Sequence, residues 1–322
     1  MLRIRACEDI KECERLWNKA WPQECIFDLW PVRQCFVSCF KRKPYFLVAQ
    51  DGEKIEGLLA LSWIEEEQYY GQFPGETWQA KTWLEQNKIP TSSFELMTEL
   101  LESVPGPVHL RYLAGESLLH KGYPLAVDEV GFLFFPGKYG FSFQEYMQQF
   151  SGKSRKKLAR ELQGLERFGV SYRYDHIADI DLLVQMNLNA FGDFSYFKDR
   201  RFLASFEKLV GWLKQNGMLR ITTLLLGDSV AAIDMGAVWR GMYTVMAGAT
   251  NPNFPGVAKM INFHHIDRAC RQKYAYVDFL CGDFGWKKRF HLSSRPLFEI
   301  NRLAEKNIEK VRTRGHGQIR EH

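Results

Sequence analysis

The 322-residue sequence has no Cys-x-x-Cys pair, although seven cysteines stand at positions 7, 13, 25, 35, 39, 270 and 281. Cys35 and Cys39 lie four apart on an expected helix, yet no histidine follows them at zinc-finger spacing. No metal is therefore expected, and the cysteines read as reduced, packed thiols. Also missing is a continuous apolar run of the roughly 18 residues that a membrane helix needs. The opening "MLRIRACEDIKECERLW" has no apolar core of the signal-peptide kind. Both absences point to a cytoplasmic chain without a membrane span. Charge of one sign is scarce as well: 43 basic against 38 acidic residues leave a formal net charge of +5. That is short of a nucleic-acid binder's usual footprint and suits a small anionic ligand equally.

What is present is enough apolar material for two cores. Hydrophobic residues make up 46% of the chain, with 9 Trp, 13 Tyr and 24 Phe, and domains of roughly 100–200 residues make two the expectation. The division read from the sequence is 1–130, 131–302 and a charged tail, 303–322, nearly free of apolar residues after Val311 and expected to fray. "LRIRA" alternates as a strand, and Ile10, Cys13, Leu16, Trp17 and Ala20 recur at helical spacing behind Asp9. A second helix is expected over 29–41, then a hairpin in "PYFLVAQDGEKIEGLLALSWI" turning at Asp51-Gly52. After Phe73-Pro74-Gly75 the spacing predicts a helix to about residue 87, and "VHLRYL" at 108–113 reads as a strand.

The second half repeats this order. Helices run up to about 216, interrupted near "FGDFSYF", and a hairpin in "RITTLLLGDSVAAIDMGAVW" turns at Gly227-Asp228. A strand "MYTVMAGAT", a loop at Phe254-Pro255-Gly256, a helix over about 257–272 and a strand "YAYVDFLC" complete it. A repeat of this length is a duplicated domain rather than a solenoid, whose period is about 20–50 residues.

Three stretches carry a resemblance: "FSGKSRKKLARELQGLERFG" (150–169), "GDSVAAIDMGAVWRGMYTVMAGATNPNFPG" (227–256) and "VDFLCGDFGWKKRF" (277–290). With the order of elements around them, they resemble the GNAT acyltransferase fold in tandem, in the branch of the Fem-type peptidyltransferases and CelD-like acetyltransferases. The resemblance is specific over 130–300 and architectural before it. It departs at Trp286, where relatives often carry Tyr before the Lys. It implies an α/β (α+β) class with two tandem GNAT-like domains, each a mixed central sheet flanked by helices. It also implies an N-acyltransferase that takes acyl-CoA or acetyl-CoA as co-substrate and a small-molecule amine, an amino sugar, amino acid or related metabolite, as acceptor. In such a fold the donor's pyrophosphate rests on backbone N–H groups at a helix N-terminus, and its pantetheine lies between two splayed strands.

The two copies are unequal as donor sites. A helix N-terminus gathers unsatisfied donors and partial positive charge, and Gly256 permits close approach. Its first turn reads Val257, Ala258, Lys259, whereas the first copy has Glu76, Thr77, Trp78, and a carboxylate there would repel a pyrophosphate. The expected donor site is therefore in the second copy, with Phe254, Gly256, Val257, Ala258 and Lys259 at the phosphates and Ala247, Gly248 and Ala249 along the thioester. The first copy shapes the acceptor side or is structural. "MYTVMAGAT" has no carboxylate to take the amine's proton, so Asp234 and Asp278, each on an apolar strand, stand in. Each faces a cleft or pairs with a buried cation.

By resemblance Lys287 faces the cleft, with Asp283 and Trp286 beside it toward the acceptor. Lys153 and Arg155, on the basic helix "KSRKKLAR", would meet an anionic part of a substrate, and a solvated face is the plain alternative. His264 and His265 could be ligand or base, with satisfied or exposed histidines the plainer reading, and Phe191, Phe194, Tyr196 and Phe197 could form an acceptor wall, with core packing the commoner fate of aromatics. Two other functions stay open. One is a Fem-type transferase using aminoacyl-tRNA, although nothing between 170 and 300 supplies the coiled-coil arm common in such proteins. The other is a non-catalytic GNAT-like binding module.

Overall fold

The computed structural model describes residues 2–115, 126–282 and 285–302, so Asp283 and the tail 303–322 lie outside the described residues. Contacts divide the chain into two compact units. Of the described residues, the first unit takes 2–115, 126–130, 199–209 and 296–302, and the second takes the rest.

In the first unit six strands lie side by side: β1 (Arg3–Cys7), β2 (Pro44–Asp51), β3 (Lys54–Ile64), β4 (Tyr69–Gln72), β7 (Val108–Leu113) and the end of β14 (Ser293–Arg302). β1 to β4 run antiparallel, β4 meets β7 in parallel at Tyr70 and Val108, and β14 returns antiparallel with Phe298 opposite Leu113. The period of two in the sequence gives this sheet two apolar faces. Phe46 and Val48 of β2 pack with Trp17 and Trp30 from α1 (Ile10–Ala20) and α2 (Trp30–Phe40). Leu47 and Ala49 pack on the other side with Leu96, Leu100 and Leu101 of α3 (Phe94–Glu102). α1 begins where expected because the Asp9 side chain accepts the Glu12 N–H.

The helix expected after Phe73-Pro74-Gly75 is replaced by a tight hairpin, β5 (Thr77–Trp78) and β6 (Lys81–Thr82). Its two turn residues, Gln79 and Ala80, have φ of 48° and 59°, a primed turn without the Asn-Gly signal that usually announces one. Glu76 does not sit on a helix dipole. It is buried and accepts from the Thr82 hydroxyl and from the Trp83 and Leu84 N–H groups, which folds the hairpin around its carboxylate.

The second unit repeats the strand pattern with β9 (Val170–Tyr174), β10 (Leu219–Leu226), β11 (Ser229–Trp239), β12 (Met242–Thr250), β13 (Tyr276–Asp278) and the end of β8 (Ala126–Phe134). Four strands are antiparallel, β12 and β13 are parallel, and β8 returns antiparallel to β13. Each sixth strand thus comes from a distant part of the chain. The helices of this unit are α4 (Phe143–Met147), α5 (Gly152–Glu166), α6 (Asp179–Phe191), the end of α7 (Arg200–Gln215), α8 (Val257–Arg271) and α9 (Trp286–Arg289). Leu162 and Leu165 of α5 pack with Val257, Met260 and Ile261 of α8 over Leu224 and Ala232 of the sheet. Among the described residues no helix is long and apolar enough to cross a membrane.

Candidate active site

In the second unit β12 pairs with β13 over only three residues, Met242 with Tyr276, Tyr243 with Val277 and Thr244 with Asp278. β12 runs on to Thr250, while β13 is shorter than the strand expected over "YAYVDFLC". The Asp278 carboxylate takes the Leu280 N–H at 2.9 Å and Leu280 turns to φ 57°, which ends the strand. A bulge that leaves Met246 without an opposite residue adds to the divergence. Beyond Thr244, the edge of β12 away from β11 has no strand against it among the described residues. Ala247, Gly248 and Ala249 lie along this stretch, and Gly248 is exposed. Such an edge offers backbone donors and acceptors to an extended ligand.

β12 leads through residues 251–256 into α8. Gly256 caps the helix at φ 90° with no side chain over its end, and a Cβ added there would meet nothing within 4 Å. No side chain therefore caps the positive end of the helix, while the Val257 and Lys259 N–H groups bond to the Phe254 and Gly256 carbonyls at 3.1 and 3.0 Å. Ala258 is exposed, Val257 is buried as support, and Phe254 packs edge-on against Phe168. Lys259 is committed elsewhere: its Nζ lies 2.5 Å from Glu161 of α5, and this bond holds the Glu161 carboxyl below its usual range. The pair fastens the middle of α5 to the first turn of α8. α5 exposes Lys153, Lys156, Lys157 and Arg160, while Arg155 donates to Gln148.

Asp234 sits on β11 directly opposite Thr222 of β10 and Gly248 of β12. Its side chain is nearly buried, and Oδ2 lies 2.8 Å from Nε2 of the fully buried His265 on α8. An ionised carboxylate only accepts, so Nε2 brings a ring proton to this bond. Oδ1 lies over Gly248, where an added Cβ would be only 2.2 Å away. The carboxylate thus lies beside Gly248, an exposed position on the stretch of β12 whose outer edge is open.

Around it three buried polar atoms, Thr222 Oγ1, Tyr243 Oη and His265 Nδ1, have no hydrogen-bond partner among the described residues. The Tyr243 ring stands edge-on to His265 at 5.4 Å, and burial pushes its phenol well above its ordinary pKa. Unpaired buried groups cost about 1–3 kcal/mol each, which a purely structural core would avoid. From the sequence His265 reads most plainly as a satisfied or exposed histidine, although a signal of its buried partner exists. His265 falls on one stripe with Val257 and Ile261, both buried, where a polar residue needs a buried partner.

The other two expected catalytic groups serve the framework. Asp278 is 1% exposed and pairs with Arg295 at 3.0 Å, the buried-cation alternative. Lys287 is buried too, and its Nζ donates to the carbonyls of Phe279, Leu280 and Cys281 at 2.9, 3.0 and 2.7 Å. Its ammonium holds the backbone that turns away after β13, rather than facing an acceptor. Trp286 is half-buried against Phe279 and Phe290. His264, pushed down to about 3 by burial beside His265 and Arg268, is a neutral ring stacked on Tyr172 at 3.9 Å. Of the aromatic cluster, Phe197 is buried, but Phe191 and Phe194 are exposed and not core.

Residues 152–288 match the family model described as an acetyltransferase (GNAT) domain. Among solved structures, FemX aligns with a TM-score of 0.59 at 10% identity, covering 95% of this chain and 99% of that one. L-PGS from Bacillus licheniformis gives 0.57 at 12% identity, over 97% of this chain and 98% of that one. A conserved protein of unknown function from Bacteroides thetaiotaomicron VPI-5482 gives 0.55 at 12%, over 92% and 99%. At such identities these are likenesses of fold. No curated protein matches the sequence.

Proposed function

We propose that this tandem GNAT protein transfers an acyl group from acyl-CoA, acetyl-CoA in the simplest case, to the amine of a small-molecule acceptor. The observation that carries the reading is the course of β12. It leaves its parallel neighbour after Thr244 and runs, with small side chains along an open edge, into the N-terminus of α8. The pantetheine amides would pair with that edge as an added strand, and the pyrophosphate would meet the positive end of α8, where no side chain caps the helix and Ala258 is exposed. Exposed cations on α5 add attraction for the phosphates.

With the thioester beside Gly248, Asp234 is the base. The amine nitrogen bonds to the acyl carbon, its proton passes to the carboxylate, and the carbon–sulfur bond breaks. The departing CoA thiolate takes up the proton in the end, so atoms and charge balance. His265 holds the carboxylate by its other oxygen.

In the first unit the chain itself fills the corresponding gap. Asn87 lies parallel beside Leu113, its N–H on the Tyr112 carbonyl at 2.9 Å, and its own carbonyl accepts from Ala114 at 2.8 Å. One donor site per chain follows.

Acetyl-CoA at about 100 times its dissociation constant should stabilise the protein by about 2.7 kcal/mol, read as a rise in thermal midpoint. Ala258→Glu puts a carboxylate on the exposed first turn, where it favours the helix but repels a pyrophosphate. It should leave the free protein folded and erase the shift. An undiminished shift in this variant, or no shift with any acyl-CoA, contradicts the reading. The exposed cations of α5 also fit the alternative of an aminoacyl-tRNA donor, which would show as tRNA binding with a steep salt dependence and no response to acyl-CoA.

A further inference from the structure

The stretch 161–168, the end of α5 and the turn behind it, runs alongside the N-terminus of α8. At one end Glu161 holds Lys259 of the first turn. At the other Phe168 meets Phe254 edge-on at 5.7 Å, and the Phe254 carbonyl accepts the Val257 N–H. Between these two contacts lies Gly164, exposed and inside the helix. Glycine in a helix costs about 1 kcal/mol against alanine, yet a Cβ added at Gly164 would meet nothing within 4 Å. No described residue therefore calls for the missing side chain.

The neighbours of Gly164 on the helix surface, three and four positions away, are Arg160, Glu161, Arg167 and Phe168. Glu161 is taken by Lys259. Arg160 turns its Nε to the Lys156 carbonyl at 3.3 Å, and both arginines are exposed and without an ion pair among the described residues. Phe168 remains 56% exposed despite its contact with Phe254. Bare backbone flanked by two arginines and an aromatic ring suits a flat ring that carries an anion.

We infer that this patch binds the adenosine 3′-phosphate end of the donor, with the base over Gly164 against Phe168 and the 3′-phosphate at Arg160 and Arg167. The inference rests on the acyl-CoA reading, because a pyrophosphate at α8 fixes where the adenosine begins. The span is short: the ribose of CoA is bonded directly to the pyrophosphate, and residues 161–168 flank the same helix end. This end of α5 thereby distinguishes CoA from a donor that carries the same pantetheine arm on another group.

The test is titration of the full chain with CoA, 3′-dephospho-CoA and 4′-phosphopantetheine, which share the pantetheine arm. At low salt CoA should bind about tenfold or more tighter than 3′-dephospho-CoA, the scale of charge-assisted bonds to a phosphate. Arg160→Gln combined with Arg167→Gln should erase that difference. Gly164→Leu puts a good helix former where the protein has room, so its thermal midpoint should not fall. It should weaken CoA binding about fivefold or more, the scale of one lost base stack, and leave 4′-phosphopantetheine binding unchanged. Equal affinity for CoA and 3′-dephospho-CoA, or undiminished CoA binding in Gly164→Leu, overturns the inference and leaves the acyl-CoA reading standing. Equal weakening of CoA and 4′-phosphopantetheine in Gly164→Leu, the mark of a disturbed α8, overturns it too. No binding of any of the three overturns both, whether or not tRNA binds through the same arginines instead.

Discussion

Replacing Asp234 by Asn should lower kcat by about 10²–10⁴-fold, the usual range for losing a positioned base, and leave KM for acetyl-CoA nearly unchanged. The amide oxygen can still accept the His265 Nε2–H bond that the carboxylate accepts at 2.8 Å, and it needs no more room over Gly248. The fold should therefore survive while the proton acceptor is lost. Release of CoA thiol, followed with an acceptor found in a panel of amino sugars and amino acids, gives the rates. Circular dichroism gives the thermal midpoint. A structural carboxylate would show the reverse pattern, a lower midpoint with full activity in the folded fraction. His265→Gln should fall between, with kcat reduced less than in Asp234→Asn, because the carboxylate remains but loses its orientation.

Lys287→Met should cost about 3–5 kcal/mol of stability, because three carbonyls that now share one buried ammonium lose their donor together. A cleft-facing lysine, the role implied by family resemblance, would instead give an active-site defect at unchanged stability. Denaturant unfolding of the variant separates the two outcomes. Arg should not rescue the position, since a planar guanidinium cannot converge on three carbonyls that surround a point charge.

These two residues show what could be read in the sequence and what could not. Asp234 stood out because a carboxylate among apolar strand residues must face something. Gly256 stood out because only a loop-to-helix junction wants a glycine there, and its φ of 90° bears this out. The hairpins at Asp51-Gly52 and Gly227-Asp228 were equally plain, because turn chemistry is local.

Long side chains were harder to place. Whether Lys259 meets a phosphate or Glu161, and whether Lys287 meets a substrate or three carbonyls, is decided by packing between segments distant in the chain. The same holds for the false helix after Gly75. Ala80, Trp83 and Leu84 keep helical spacing, yet Glu76 finds its donors in Thr82, Trp83 and Leu84, and that tertiary demand overrides propensity. The sixth strand of the first unit was invisible for the same reason, as its Glu299 meets His109 from 190 residues away.

Calorimetric titration of the full chain with acetyl-CoA is the most direct measurement. One molecule bound per chain, with binding lost in Ala258→Glu and kept in Asp234→Asn, is the expected result. Two molecules per chain would mean that the first unit's filled gap opens to a donor. No binding at all would contradict the acyl-CoA site built from β12 and α8.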